Sequence, residues 1–487
     1  MNLQPSTFNL QHRAPKRVRG LQALEVERSR LNVGCFPRSS KQSQNGSVLI
    51  IVLWVCLGLV SIALYFANQM TYELRASDNR VSGLAADQAI EGAARYVAYA
   101  LLNYATNGAM PDNTQFRCEA VPVGDAKFWV IGRDPSAKSS SDPYYGLVDE
   151  GGKLNLNNAS TNVLQYLPDM STDFAEAILD WRGTNGTVAL NYAALGYYPK
   201  YAPFETVDEL RLVYGATPDF LAGEDVNRNG ILDKNEKDLN RNGELDPGLL
   251  EYTTVYTREP NFHSDGTSLT NVNTATEAQL RSLFQNAGTA NAARMAQSLY
   301  RSIHPNPNTP NAVNNCNGLL DLALRIKNAG MSSDDFAKLE GDLTTSTNVY
   351  FRGRVNVKTA GVDVLTALFM GRGVDEQTAL SAAQTLITYR EQNAGNLGSI
   401  AWIIDALGNN SPVITALARG NYVTTRSYQF TADIAAVGAY GRGFRRVKFV
   451  FDVSDGTPKI LYRQDLSRLG WALGDKAREN LLAKDTP

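Results

Sequence analysis

The sequence predicts an α+β chain: one long N-terminal helix, two small groups of strands, and a large helical region between them. Three observations carry this. No proline occurs between Pro37 and Pro111, and much of that stretch is rich in helix formers. Three self-similar segments, each leading into a helix, occupy the middle of the chain. Apolar–polar alternation at a period of two appears on both sides of that middle.

The helix begins at a junction. Residues 1–46 carry eight Lys or Arg and two acids, and residues 48–67 (VLIIVLWVCLGLVSIALYFA) carry no charge. Twenty such residues span about 30 Å as a helix, the thickness of a bilayer's hydrocarbon core. The positive-inside rule keeps the basic end in the cytoplasm and exports the rest. A secretory signal has a shorter apolar core with a small-residue cleavage site behind it. Here the core is longer and no such site follows. The expected cut therefore lies ahead of the apolar run, at Gly46-Ser47, leaving the anchor in the mature chain; an uncleaved signal anchor is the simpler alternative. Further on, Ala89, Ala93, Tyr96, Val97 and Ala100 recur at helical spacing. One helix is expected from residue 47 to residue 103, its first part in the membrane and its second packed on an exported domain. Gly83 and Gly92 each weaken it by about 1 kcal/mol.

The net charge is −2, and −8 without the first 46 residues. An acidic exported chain is a poor general binder of nucleic acid. Cys35 precedes the anchor and Cys56 lies within it. Cys118 and Cys316 lie in the exported part, where they either form a disulfide or stay as two separate buried thiols.

The repeats are residues 153–167 (KLNLNNASTNVLQYL), 269–284 (LTNVNTATEAQLRSLF) and 354–369 (RVNVKTAGVDVLTALF). Each starts apolar-x-apolar with Asn at fixed places, passes an Ala-Ser, Ala-Thr or Ala-Gly step that opens a helix, and continues with Leu at helical spacing. A second helix is expected after two of them, at 172–182 and 375–391, each ending in a basic, aromatic-containing corner. Residues 203–215 and 396–408 read as a further short helix pair. These are helix-hairpin-helix-like units. Such units bind DNA elsewhere through a Gly-rich hairpin whose amides meet a phosphate. Of the hairpins here, only Gly371-Arg372-Gly373 approaches that form, so packing is the expected role and no nucleic acid is expected as partner. Strands are expected at 127–132 and 145–148, and three more after about residue 422 in SYQFTADIAAVG, FRRVKFVFDVS and TPKILYRQD. Neither group alone makes a well-covered sheet, so pairing across the helical region is the economical solution.

The sharpest chemical signal is EDVNRNGILDKNEKDLNRNGELDPG, residues 224–248. Asp225, Asn227, Asn229, Gly230, Ile231, Asp233 and Glu236 occupy positions 1, 3, 5, 6, 7, 9 and 12 of a calcium loop. Calcium takes six to eight hard oxygen ligands, and this spacing wraps them round one ion. Position 7 supplies a backbone carbonyl, and Glu236 supplies two oxygens. Asp238, Asn240, Asn242, Gly243, Glu244 and Asp246 repeat the pattern 13 residues later, with Leu249 where the bidentate acid belongs. The second loop is expected to bind weakly or to borrow an oxygen, with Glu251 the candidate. Calcium is the one cofactor expected, in a structural role. Beyond residue 46 there are two histidines, His263 and His304, in Pro/Asn-rich surroundings, and no nucleophile elbow, phosphate loop or zinc-ligand cluster is visible. Catalysis is not expected.

Taken together, the Gly-terminated basic leader, the apolar helix running into an amphipathic one, and Asp149-Glu150-Gly151-Gly152-Lys153-Leu154-Asn155-Leu156-Asn157 resemble the K-type minor pseudopilins of type II secretion. Asp180-Trp181-Arg182 and residues 197–210 match that pattern too. Most pseudopilins have Glu at the fifth mature position; here Ile51 stands there, as in the K type. The resemblance implies a pseudopilin core, a long N-terminal helix with a small antiparallel sheet, into which a large α-helical domain of helix-hairpin-helix-like repeats is inserted. It also implies cutting by a prepilin peptidase between Gly46 and Ser47, N-terminal methylation, and a single-pass place in a bacterial inner membrane with the bulk periplasmic. The partners implied are the I- and J-type minor pseudopilins, the major pseudopilin and the inner-membrane secretion platform. The expected domains are a leader (1–46), a transmembrane helix (47–67), the first part of the core (68–150), the insert (151–425) and closing strands (426–487). Two other functions stay open: a membrane-anchored DNA receptor for DNA uptake, and a minor pilin of a type IV pilus.

Overall fold

The computed structural model describes residues 47–134, 140, 142–183, 192, 195–305 and 313–482. Gly46 and Cys35 lie outside the described residues. By its internal contacts the chain divides into two units, residues 1–71 and 72–487.

One helix, α1 (Ser47–Tyr104), runs 58 residues without interruption at Gly83 or Gly92. In the first unit it is the apolar segment, and every side chain described there is exposed. Among the described residues this is the one helix long and apolar enough to cross a membrane. In the second unit its last turns bury Ala86, Ala89, Ile90, Ala93, Ala94, Val97, Ala100 and Leu101 in a single stripe. The small residues in that stripe let the helix lie close against a sheet.

The sheet has six strands: β1 (Val121–Val123), β2 (Ala126–Ile131), β3 (Val148–Asp149), β4 (Gln429–Val437), β5 (Arg445–Asp452) and β6 (Lys459–Asp465). Its order is β1-β2-β4-β5-β6, with β3 also on β4, and every pair is antiparallel. The two strand groups thus join across the helical region, as alternation on both sides of it required. Strand β4 is buried on both faces. Phe430, Ala432, Ile434 and Ala436 pack with α1, Phe128, Phe449 and Phe451. Ala435 and Val437 face the other way, against Trp129, Ile131 and the C-terminal Ala472 and Leu473. A one-residue slip would exchange these two sets, so the register (Ile434 opposite Val130 and Val447) is strongly specified.

The helical region between β3 and β4 has its own core, which includes Leu164, Ile178, Phe284, Leu320, Phe369 and Trp402. Each repeat opens on a two-residue strand paired in parallel with a later one. Leu154–Asn155 pairs with Thr253–Thr254, Thr270–Asn271 with Leu343–Thr344, and Val355–Asn356 with Val423–Thr424. These closing strands are not among the expected elements, because two residues carry no periodicity. A second helix also follows the middle repeat, Ala292–Ile303, where only the outer two were expected to have one.

The recurring Asn pattern of the repeats has a local cause. The first Asn of each repeat accepts the amide two residues on: Asn155 from Asn157 at 2.9 Å, Asn271 from Asn273 at 3.0 Å, and Asn356 from Lys358 at 3.0 Å. In the first two repeats a second Asn then clamps a distant peptide. Asn157 accepts from the Phe204 amide at 2.7 Å and donates to its carbonyl at 2.9 Å. Asn273 does the same for Cys316 at 2.7 and 3.0 Å. The basic corners are staples: Arg182 donates to the carbonyls of Leu156 and Ala159, and Arg390 to those of Val357 and Ala360.

Candidate metal centre

Residues 224–248 leave a short helix, Pro218–Ala222, and return at once to its end. The stem is tight. Gly223 bridges Pro247, the Gly248 amide donates to the Ala222 carbonyl at 3.0 Å, and the Glu224 amide to the Asp246 carbonyl at 3.0 Å. Gly223 has φ +64°, and a Cβ there would stand 2.3 Å from the Gly248 nitrogen. Only glycine allows the two strands of the stem to cross so closely.

In the first loop, Asp225 accepts the amides of Asn229 (2.9 Å) and Gly230 (2.8 Å), and Asn229 Oδ1 accepts the Ile231 amide (3.1 Å). Glu236 lies across the loop, accepting the amides of Asn227 and Asp233, both at 3.0 Å. The carboxamide nitrogens of Asn227 and Asn229 both donate to Asp233 Oδ2. Asn227 is 5% exposed, and its Oδ1 is buried without a hydrogen-bond partner. Burial pushes the Asp225 carboxyl up, with Arg133 and two amides opposing. Burial raises Glu236 as well, two amides oppose it, and the neighbouring Asp225 and Asp233 add to the rise. Without a cation the loop gathers like charges in a partly desolvated place.

This loop is held by the sheet. Arg446 on β5 donates to the carbonyls of Asn227 and Arg228, and Arg133, just past β2, donates to the same Arg228 carbonyl at 2.8 Å. The amide groups of Asn227 and Asn229 reach the carbonyls of Trp471 (3.3 Å) and Ala472 (3.4 Å). The second loop is more exposed: Asn240, Asn242 and Glu244 face solvent. Glu251 is not part of it. Its carboxylate is paired with Arg133 at 3.0 Å, which corrects the expectation that it lends the second loop an oxygen. Burial favours its neutral form, but Arg133, Lys153 and Lys448 together hold the carboxyl below the usual range.

Among the described residues no three His, Cys, Asp or Glu side chains converge as a ready-made centre. The first loop instead combines three carboxylates with two carboxamides and the carbonyl of Ile231. That donor set is all oxygen, which suits a hard cation such as calcium rather than zinc. The orphaned Asn227 oxygen fits the same ion, because a carboxamide turned about its last bond exchanges its nitrogen and oxygen.

No family model matches this chain, and no curated protein is similar to it. Among solved structures it is similar to a chain in the crystal structure of the GspK-GspI-GspJ complex from the type 2 secretion system of enterotoxigenic Escherichia coli. The identity is 11% and the TM-score 0.37, over 81% of this chain and 99% of that one. A likeness of that size establishes no shared fold, and the architecture rests on this chain's own elements.

The other candidate residues separate. Cys118 is buried beneath the sheet and Cys316 in the helical core; both are free thiols, which corrects the possible Cys118–Cys316 disulfide. Two cores that fold round their own apolar residues keep the thiols apart. Burial pushes each thiol up to about 12. His263 has Asp342 3.9 Å away, and the His304 ring packs at a tilt against Tyr300, 4.5 Å between centroids. Arg372, the cation of the Gly-rich hairpin, lies over the Tyr422 ring with 3.6 Å to its centre. A Cβ on Gly371 would stand 2.7 Å from the Asn162 carbonyl oxygen. That hairpin is spent on packing, so it does not present free amides and a free cation to a phosphate.

Proposed function

We propose that this chain is a structural subunit of a secretion pseudopilus, a K-type minor pseudopilin that sits at the filament tip. The observation that carries the reading is α1: one uninterrupted helix, apolar and exposed at its start, that becomes the core helix of a small antiparallel sheet. Such a helix serves first as a membrane anchor and then as a packing element among like helices, since the same apolar surface suits both. The helical domain inserted between β3 and β4 supports the tip position, because a bulky domain hinders stacking of another subunit above it. Ile51 in place of the usual Glu supports it too: a subunit with no earlier neighbour has no amine to neutralise.

On this reading the chain is cut between Gly46 and Ser47 by a prepilin peptidase and waits in the inner membrane with its bulk periplasmic. It then assembles with I- and J-type minor pseudopilins, the major pseudopilin and the secretion platform, without catalysing a reaction. N-terminal sequencing of the mature protein, together with co-purification of I- and J-type partners from the same cell, tests it. Ser47 as first residue and recovery of both partners are expected. An N-terminus at Met1, or failure to recover either partner, overturns it.

The loops at 224–248 are read as structural calcium sites, using Asp225, Asn227, Asn229, Ile231, Asp233 and Glu236 in the first and Asp238, Asn240, Asn242, Glu244 and Asp246 in the second. Calcium raises the stability of whatever state binds it; at 100 times the dissociation constant the gain is about 2.7 kcal/mol. Chelation is therefore expected to lower the melting temperature of the wild type. It should lower that of Asp225→Ala less, since Asp225 holds the first loop's turn. Equal melting with calcium and with chelator would remove the reading.

A further inference from the structure

We infer that Glu224 supplies the two-oxygen carboxylate of the second calcium loop, in the place where the sequence spacing puts Leu249. This rests on the reading of residues 224–248 as calcium loops.

The two loops have matching hydrogen bonds. Asp238 accepts the amides of Asn242 (3.2 Å) and Gly243 (2.9 Å), as Asp225 accepts those of Asn229 and Gly230. Asn242 Oδ1 accepts the Glu244 amide at 2.7 Å, as Asn229 accepts that of Ile231. Asn240 and Asn242 donate to Asp246 Oδ2 at 2.6 and 3.2 Å, as Asn227 and Asn229 do to Asp233 Oδ2. Arg228 and Arg241, at position 4 of each loop, have φ +58° and +60°. Position 12 is where they part. In the first loop the Glu236 carboxylate spans the amides of positions 3 and 9. In the second, Leu249 is 1% exposed in the helical core, its side chain has no oxygen, and its carbonyl accepts the Thr253 hydroxyl.

Glu224 takes that place from the other end of the chain segment. One carboxylate oxygen accepts the Leu239 amide at 2.6 Å and the other the Asp246 amide at 3.1 Å, positions 2 and 9 of the second loop. It is 4% exposed, so its carboxylate is fixed. The cause is the stem: the Gly223–Pro247 crossing brings the residue before the first loop alongside the end of the second. A cation is called for by more than carboxylates. In the first loop the Asn227 oxygen is buried and unpartnered while the nitrogen of the same carboxamide faces Asp233, and in the second loop the Asn240 nitrogen faces Asp246 likewise. Each loop also directs two carboxamides at one carboxylate oxygen, the convergence an oxygen-coordinated ion would occupy after the amides turn. Glu224 and Asp225 are adjacent, so one peptide unit carries a ligand of each site.

The test is calcium titration of the full chain in detergent by calorimetry, with calcium as the sole ligand. The wild type is expected to bind two ions. Glu224→Gln and Asp238→Ala are each expected to lose the same one, and Asp225→Ala the other. Glu224→Asp keeps the charge but shortens the reach, and is expected to weaken that site by about 10-fold or more, in the range seen for disturbed metal shells. It decides the matter if Glu224→Gln does not fold. Two ions at unchanged affinity in both Glu224 variants would overturn the inference and leave the calcium reading standing. A wild type that binds one ion, indifferent to Asp238→Ala, would overturn it as well. A wild type that binds none defeats the calcium reading itself.

Discussion

Replacing Arg446 by methionine is expected to destabilise the folded protein by about 3–5 kcal/mol, the loss typical of breaking a buried ion pair from one side. Arg446 is fully buried on β5. Its Nε donates to Asp433 Oδ1 at 2.8 Å and its Nη2 to Asp433 Oδ2 at 2.6 Å, a two-pronged pair across the β4–β5 ladder. The same guanidinium donates to the carbonyls of Asn227 and Arg228. Methionine keeps the volume and removes every donor. Asp433, whose side chain is 5% exposed, is left as an unpaired buried charge beside two carbonyls with fewer partners. Urea unfolding should show a lower midpoint. Changing both partners, Asp433→Leu with Arg446→Met, should recover part of the loss, because the orphaned charge goes with its partner while the carbonyls stay under-satisfied. A single variant as stable as the wild type would mean that water replaces the guanidinium, and would remove this residue as the link between sheet and loop. On the proposed calcium reading, the first loop's affinity for the ion should fall in the same variant, since Arg446 holds the carbonyls at its positions 3 and 4.

That link shows where local reading ends. The bounds of α1 were legible, because proline-free composition and a stripe at helical spacing are properties of neighbouring residues. So were β2 and the three closing strands, whose alternation is written along each strand. Strand β1 and the parallel ladders were not, since two or three residues such as Thr253–Thr254 have no periodicity to read. The turns of the first loop, residues 225–236, were legible as spacing. The candidate ligand Glu224 was not, because a chain crossing at Gly223 and Gly248 puts it in place rather than any spacing within the second loop. Glu251 was the nearer acid in sequence, yet Arg133 claims it. The choice between a Cys118–Cys316 disulfide and two separate thiols stayed open for a related reason: an even count of thiols says nothing about which core each enters. In each case the missing term is a contact between residues far apart in the chain.

Asp149→Ala is the second large effect, expected to destabilise the protein by about 3 kcal/mol or more, from several buried donors losing one acceptor. Asp149 ends β3, where the chain leaves the sheet, and Ser427 stands where it comes back. Asp149 Oδ1 accepts the Gly151 amide at 2.7 Å. Its Oδ2 accepts Asn356 Nδ2 at 2.9 Å and the hydroxyls of Thr359 and Ser427. Burial pushes its carboxyl up, and those donors oppose the rise. Glu150 beside it turns to the first repeat and the sheet, accepting the hydroxyls of Thr254 and Thr431. Two adjacent acids thus tie the sheet to the third and first repeats. A cavity of about 300 Å³ borders Asp149, and water entering it after the substitution would hold the loss near the lower end. The effect should also be local. In hydrogen exchange, protection should fall at the Val357 amide, bonded to Thr424, and at the Ser427 amide, bonded to Gly108. The Leu156 amide, bonded to Thr254 in the first ladder, should keep its protection because Glu150 still holds that end. Loss at all three amides alike would mean that the repeats open as one body, and that Asp149 does not act as the tie of the third.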